Sequence, residues 1–235
     1  MIKIVTPLKK WGSFSSPVLC IADDGKKYIV KGAHLGKSVY NDYICPKLGD
    51  LLGAAVTKVI QIEMPSELHA DEKLCHIPVG IALGSLEEFD APHEYREIRH
   101  QNLTENRSRF ASLLVLYTWC YPQDTQVLYS PTPPEIVLSH DHGHFFHIGP
   151  NWTESTLQSA PNPIKRAEFF NPCDLTDDEI KPFFDTLKSI RDTQIEEITN
   201  SAPKSWGVPQ SDIGHLSTYL KKRRDSMTMQ TWSTR

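Results

Sequence analysis

Val18-Leu-Cys-Ile-Ala22, Asp23-Asp-Gly25 and Lys27-Tyr-Ile-Val-Lys31 are two short β-prone runs around a turn signal, and the second closes on a lysine. Alternating β-branched and aromatic residues on either side of Asp-Gly predict an antiparallel hairpin. Upstream, Gly12-Ser-Phe-Ser-Ser16 is a turn of small residues whose backbone N–H groups can cradle phosphate oxygens, to which Lys31 adds a positive charge. Downstream, Gly32 and Gly36 mark a loop, and Ser38 caps a helix with apolar residues at Ile44, Leu48, Leu51 and Leu52. Pro46 falls inside that pattern and predicts the start of a second helical segment, because proline is costly in a helix interior.

Further strands are predicted from Gly53 to Ile62 and from Ile77 to Leu83, with Gly84-Ser85 as a break. Beyond about residue 90 the pattern changes. Phe110 to Cys120 reads as a buried helix, and Tyr129 to Phe146 as two short strands around a proline-rich turn. Thr176-Asp-Asp-Glu179 is a capping box opening a helix with Ile180, Phe183, Phe184, Leu187 and Ile190 on one face. A last helix, Asp212 to Arg224, ends in Lys221-Lys-Arg-Arg224, read as a solvated end whose charges suit a helix C-terminus.

The 235 residues carry 25 Lys plus Arg against 29 Asp plus Glu, a net charge of −4, and 39% are hydrophobic. A chain of this size buries a core without staples, which argues against global disorder and a disulfide framework. The slightly acidic balance lacks the positive field of a direct nucleic-acid binder. The longest nearly uncharged run, Phe110 to Tyr121, is far short of a membrane span, and the N-terminus has no secretory pattern. Five cysteines, none in a C-x-x-C pair, predict reduced thiols and a cytoplasmic location.

Two other segments carry candidate chemistry. Ser139-His-Asp-His-Gly-His144 places Asp141 after an apolar run, a suitable position for a carboxylate that holds Mg²⁺ against phosphates. Alternation along a strand would instead converge His140, His142 and His144 as a transition-metal cluster, the basis of a metal-dependent hydrolase. In Trp119-Cys-Tyr-Pro-Gln-Asp-Thr-Gln126, Asp124 can accept a proton from an attacking hydroxyl and Gln126 can support a metal, although an Asx-type turn role for Asp124 stands beside that.

In this order the segments resemble the bacterial HipA-like kinase family, in its shorter single-domain branch. The resemblance runs over Gly12 to Pro17, Tyr28-Ile-Val-Lys31, Asn41-Asp-Tyr-Ile-Cys45, Leu48 to Gly53, Gly80 to Ser85, Asp141-His-Gly-His-Phe145, Gly149-Pro-Asn-Trp-Thr153 and Ser205-Trp-Gly207 with Tyr219 to Arg224. It implies an α+β, two-lobed protein-kinase-like fold, with a small β-rich N-lobe over residues 1–88 and a larger, mostly helical C-lobe over 89–235. It also implies ATP and Mg²⁺ as cofactors and phosphorylation of a Ser or Thr hydroxyl of a protein substrate.

By that resemblance Lys31 contacts the ATP phosphates, Ser15 and Ser16 bind the cofactor from the nucleotide loop, where Ser13, Ser15 and Ser16 are also candidate autophosphorylation sites, and Asp141 binds metal, with His142 and His144 as its context. Asp42 stands where the family has a glutamate pairing that lysine, so a looser pair is expected. Asp124 falls on the catalytic aspartate and Gln126 on the second metal-binding asparagine. Pro122 and Thr125, however, replace an expected Asn and Arg in a loop two to three residues short. A nucleotide-binding pseudokinase acting through a partner protein is therefore the alternative.

Overall fold

The computed structural model describes residues 1–90, 92–161 and 164–233, except for the side chain of Ser233. Its N-terminal part is a five-stranded sheet of β1 (Ile4–Lys10), β2 (Val18–Ala22), β3 (Lys27–Lys31), β4 (Val59–Met64) and β5 (Gly80–Leu86). The order is β1-β2-β3-β5-β4, antiparallel throughout. The expected hairpin is β2 and β3, with Val18 opposite Val30 and Leu19 opposite Ile29. Sequence reading missed β1, whose Pro7 argues against a strand. Proline is tolerated there because β1 is an edge strand with register shifts between Ile4 and Thr6 and between Pro7 and Lys9.

Residues two apart on a strand share a face, which splits the sheet cleanly. Val18, Cys20, Tyr28, Val30, Ile62 and Ala82 close a small core against Leu74 and Ile77 of the β4–β5 connection. The opposite face carries Lys31, together with Leu83 and Val59 of the main core. Two expectations about strand ends are corrected. The chain from Gly53 terminates the preceding helix and β4 starts only at Val59, while β5 runs through Gly84-Ser85 to Leu86. Glycine suits position 84 because a Cβ would come 3.2 Å from Ile62 Cγ2 on the neighbouring strand.

The helix α1 (Lys37–Leu52) is continuous and contains Pro46, which corrects the expected second segment. The roughly 3 kcal/mol that an interior proline costs is offset by burial of α1 along most of its length, Tyr40, Ile44, Cys45 and Leu48 included. Three further strands, β6 (His93–Tyr95), β7 (Val127–Tyr129) and β8 (Val137–Ser139), form a second antiparallel sheet beside α2 (Thr104–Cys120). The helices α3 (Glu154–Gln158), α4 (Asp177–Ser189), α5 (Asp192–Thr199), α6 (Gln210–Ser226) and α7 (Gln230–Ser233) follow among the described residues. No helix among the described residues is long and apolar enough to cross a membrane.

The Lys221 to Arg224 end of α6 is solvated only in part, with Lys222 exposed and Lys221 half-buried. Arg223 and Arg224 are buried, at 4% and 7% exposure. Arg223 donates from Nε to Trp119 O at 2.8 Å and from Nη2 to Thr118 O at 2.5 Å, and Arg224 Nη1 donates to Ile190 O at 2.6 Å. These carbonyls lie in the last turn of α2 and at the end of α4, where the helix leaves acceptors without backbone donors.

The capping box at Thr176 forms as expected and is reinforced from α2. Arg107 forks onto Glu179, Nε to Oε1 at 2.6 Å and Nη2 to Oε2 at 2.5 Å, and its Nη1 reaches Cys173 O at 2.6 Å. These Arg107 hydrogen bonds, foremost, hold the Glu179 carboxyl down to about 2. Arg107→Ala is expected to destabilise the fold by about 1–2 kcal/mol in urea melts. Because the folded carboxyl is depressed, this advantage of the wild type is present above the ordinary 4.5 and fades as pH falls toward about 2.

Candidate active site

Lys31 ends β3, Asp42 lies in the second turn of α1, and Asp141 follows β8. The fold brings all three together: Lys31 Nζ donates to Asp42 Oδ2 at 2.5 Å and to Asp141 Oδ1 at 2.8 Å. Lys31 and Asp42 are buried, at 6% and 3% exposure, whereas the Asp141 side chain is 35% exposed. The expected looseness of a shorter acid at position 42 is absent, because the segment after Asp141 packs directly onto α1. Asp42 Oδ1 accepts the His142 backbone N–H at 2.5 Å, and Asn41 Nδ2 donates to Gly143 O at 3.0 Å. Glycine at 143 permits this approach, since a Cβ there would lie 2.6 Å from Ser38 Oγ.

Burial disfavours charge on all three groups, and the trio offsets it. Burial opposes the Lys31 ammonium, but Asp42 and then Asp141 raise its pKa above the ordinary lysine value. Burial also works against the Asp141 carboxylate, yet Lys31 beside it holds the carboxyl down to about 2. Asp42, more deeply buried, is pushed up by burial, with the Asp141 charge adding to it. Asp141 adopts a left-handed backbone, φ 53°, as do Tyr121, Phe146 and His147 around it. Such strained residues cluster where surrounding structure over-determines them, often at functional sites.

The loop after α2 is shaped by these neighbours. Phe146 N donates to Cys120 O at 3.0 Å, His147 N to Tyr121 O at 2.9 Å, and Gln123 N to His144 O at 2.9 Å. Within the loop Asp124 Oδ1 accepts the N–H of the next residue, Thr125, at 2.9 Å, which is not the bond two residues on that an Asx turn makes, and Oδ2 accepts Gln126 Nε2 at 2.9 Å. Oδ1 also accepts Arg96 Nη1 at 3.2 Å. Two side chains connect this loop electrostatically to the trio. Burial, then Asp141, raises the Glu94 carboxyl, and Asp124 adds to the rise while Arg96 and Lys31 oppose it. The His140 imidazole, lowered to about 4 mainly by burial, senses Asp141, Lys31 and Asp124.

Sequence reading missed Glu94 and Arg96. They flank Tyr95 in a short charged stretch with no motif, and the pairing of β6 with β7 brings them here.

The transition-metal cluster does not form. The strand ends at Ser139 and residues His142–His144 make a 3-10 turn, so the alternation that would converge the histidines is lost. His142 is buried with Nε2 bonded to Ser139 Oγ at 2.8 Å, and its ring packs on Phe145. No group of three or more His, Cys, Asp or Glu among the described residues is placed to hold a metal. Ser15 and Ser16 sit in the β1–β2 connection. Ser16 N donates to Ser13 O at 2.9 Å, so that N–H is not free for phosphate, and Ser16 O pairs with His76 Nε2 at 2.8 Å.

One further feature lies on the Lys31 face of the sheet. Leu19 and Ile29 are opposite one another, and Ile21 is opposite Lys27. All three apolar side chains are half-buried and belong to neither buried cluster.

The sheet lobe, the helical region and the buried lysine with its acids define a two-lobed protein-kinase-like fold. The structure is similar to that of the Helicobacter pylori proinflammatory kinase CtkA, with a TM-score of 0.59 at 12% identity over 96% of this chain and 93% of that one. A weaker likeness, TM-score 0.46 at 9% identity, covers 99% of this chain and 73% of the Golgi casein kinase. No curated protein matches the sequence. The family model described as HipA-like kinase matches residues 2–146, more than half of the chain, and the chain belongs to the HipA-like kinase family. Family and fold together support a kinase-type phosphotransferase.

Proposed function

We propose that the protein is an ATP- and Mg²⁺-dependent kinase that phosphorylates a Ser or Thr hydroxyl of a protein substrate in the cytoplasm, with the cleft between residues 1–88 and 89–235 as its site. The observation that carries this reading is the Lys31 ammonium held between Asp42 and Asp141.

The residues fit the cofactors. Half-buried Leu19, Ile21 and Ile29 offer an apolar face for a base in line with Lys31. Mg²⁺ is ordinarily held by one or two protein oxygens plus phosphates, and Asp141 and Gln126 are the oxygens this reading assigns to it. When bound, ATP with its metal ion supplies the γ-phosphoryl group and the cation that neutralises its oxygens. In this reading Lys31 binds the phosphates, Asp42 orients Lys31, Asp141 and Gln126 hold the metal, and the Ser15–Ser16 turn covers the nucleotide. Asp124 Oδ2 takes the hydroxyl proton.

Both Asp124 oxygens are already engaged by Thr125, Gln126 and Arg96. That favours, as a second reading, a nucleotide-binding pseudokinase working through a protein partner. Incubation with γ-labelled ATP and Mg²⁺, with and without a generic protein acceptor, separates the two. The kinase reading expects label in the wild type and its loss, by at least about a hundredfold, in Asp141→Asn. An unlabelled wild type that ATP still protects from thermal melting sinks the kinase reading in favour of the second.

A further inference from the structure

We propose that Arg96 is a positioning residue for Asp124, supplying from the segment after β6 the cation that the shortened loop lacks at Thr125. The proposal rests on the kinase reading of the same site. Strands β6 and β7 pair with His93 opposite Tyr129, Glu94 opposite Leu128 and Tyr95 opposite Val127. Continuing that register by one residue sets Arg96 against Gln126, whose amide is bonded to Asp124 Oδ2. From there Arg96 Nη1 reaches Asp124 Oδ1 at 3.2 Å.

The other two partners of Asp124 come from within two residues of it. They set the carboxylate relative to its own turn, but they do not fix the turn against the rest of the cleft. Arg96, 28 residues earlier in the chain, does so. Charge points the same way. Asp42, Asp141, Asp124 and Glu94 are four carboxylates in one electrostatic neighbourhood, and Lys31 is shared by the first two. Arg96 contacts Asp124, and its charge, like that of Lys31, opposes the rise of the Glu94 carboxyl. The contact uses one guanidinium nitrogen, so a lysine ammonium can replace it. The Arg96 side chain is 69% exposed, so the pair adds little to stability and its effect is to be read in turnover.

The test compares wild type, Arg96→Ala, Arg96→Lys, Asp124→Asn and the Arg96→Ala/Asp124→Asn double variant for kcat, KM for ATP and melting temperature. The expected result is a kcat loss on the order of tenfold in Arg96→Ala with KM for ATP unchanged, because a small misplacement of a reacting group costs rate and not binding. Arg96→Lys restores most of that loss, and in the Asp124→Asn background Arg96→Ala costs less than about twofold, since coupled groups are non-additive.

Three results overturn the proposal while leaving the kinase reading intact. They are an unchanged kcat in Arg96→Ala, an equal loss with and without Asp124, and a loss that follows melting temperature with no rescue by lysine. A wild type without turnover overturns the kinase reading itself, and this role of Arg96 with it.

Discussion

Asp124→Asn is expected to lower the kcat of phosphoryl transfer by about 10²- to 10⁴-fold, the range for loss of a positioned general base. Asparagine keeps the shape of the side chain and one acceptor, so the bonds from Thr125 N and Arg96 to Oδ1 survive. The new Nδ2 would face the Gln126 Nε2 that donates to Oδ2. Rotating the Gln126 amide by half a turn presents its oxygen instead and restores the pair. The stability cost is therefore about 1 kcal/mol at most, which a melting curve of each protein checks directly. ATP without Mg²⁺ should raise the melting temperature of both alike, because ligand stabilisation depends on affinity and free concentration only and the turned Gln126 amide affects the metal alone. Turnover in Asp124→Asn within about threefold of wild type would remove Asp124 from the chemistry. Equal ATP protection would then leave the Lys31 and Asp141 assignments standing.

The largest effect on stability is expected at the root of the same loop. Trp119 is fully buried, its Nε1 donates to Leu220 O at 2.9 Å, and its own carbonyl accepts Arg223 Nε at 2.8 Å. Trp119→Ala removes the largest kind of side chain from the contact between α2 and α6 and should cost about 3–5 kcal/mol. For a protein of this size that lowers the melting temperature by about 6–20 °C. Trp119→Phe retains most of the ring volume but leaves Leu220 O without its donor, and should cost about 1–3 kcal/mol. The ordering of the two variants in a denaturant titration checks the account. A loss below about 1 kcal/mol in Trp119→Ala would mean that the helix end is not held by this packing. Since Asp124 is five residues beyond Trp119, a displaced helix end should also cost turnover.

Much of the site was legible because its residues sit on local patterns. Alternation around Asp23-Asp-Gly25 determined the hairpin and hence the place of Lys31 at the end of a buried strand. An apolar run before Asp141 marked a carboxylate at a strand end, and Thr176 with Glu179 marked a helix start, since capping is settled within a single turn. The three histidines show the limit of such reasoning. Their spacing suits convergence only if the strand continues, and it stops at Ser139 because the chain turns to pack onto α1. Glu94 and Arg96 carry no local signature, since β6 gains meaning only from β7, more than 30 residues later.

By itself, then, the sequence determined the α+β organisation, the hairpin that carries Lys31, and the identity of Asp42, Asp124, Gln126 and Asp141 as residues worth testing. The hairpin and the strand-end place of Asp141 follow from backbone preference and side-chain alternation over a few neighbours, whereas Asp42 and the metal and base roles of Gln126 and Asp124 came from the resemblance to the HipA-like kinase family. Only the tertiary structure decided that Lys31 is shared by two acids, that His142 is a packed core residue, and that Arg223 and Arg224 are buried donors to the ends of two other helices. A charge at a helix end stays solvated unless carbonyls without partners are brought to it. Whether they are depends on the packing of α2, α4 and α6, which no local pattern encodes.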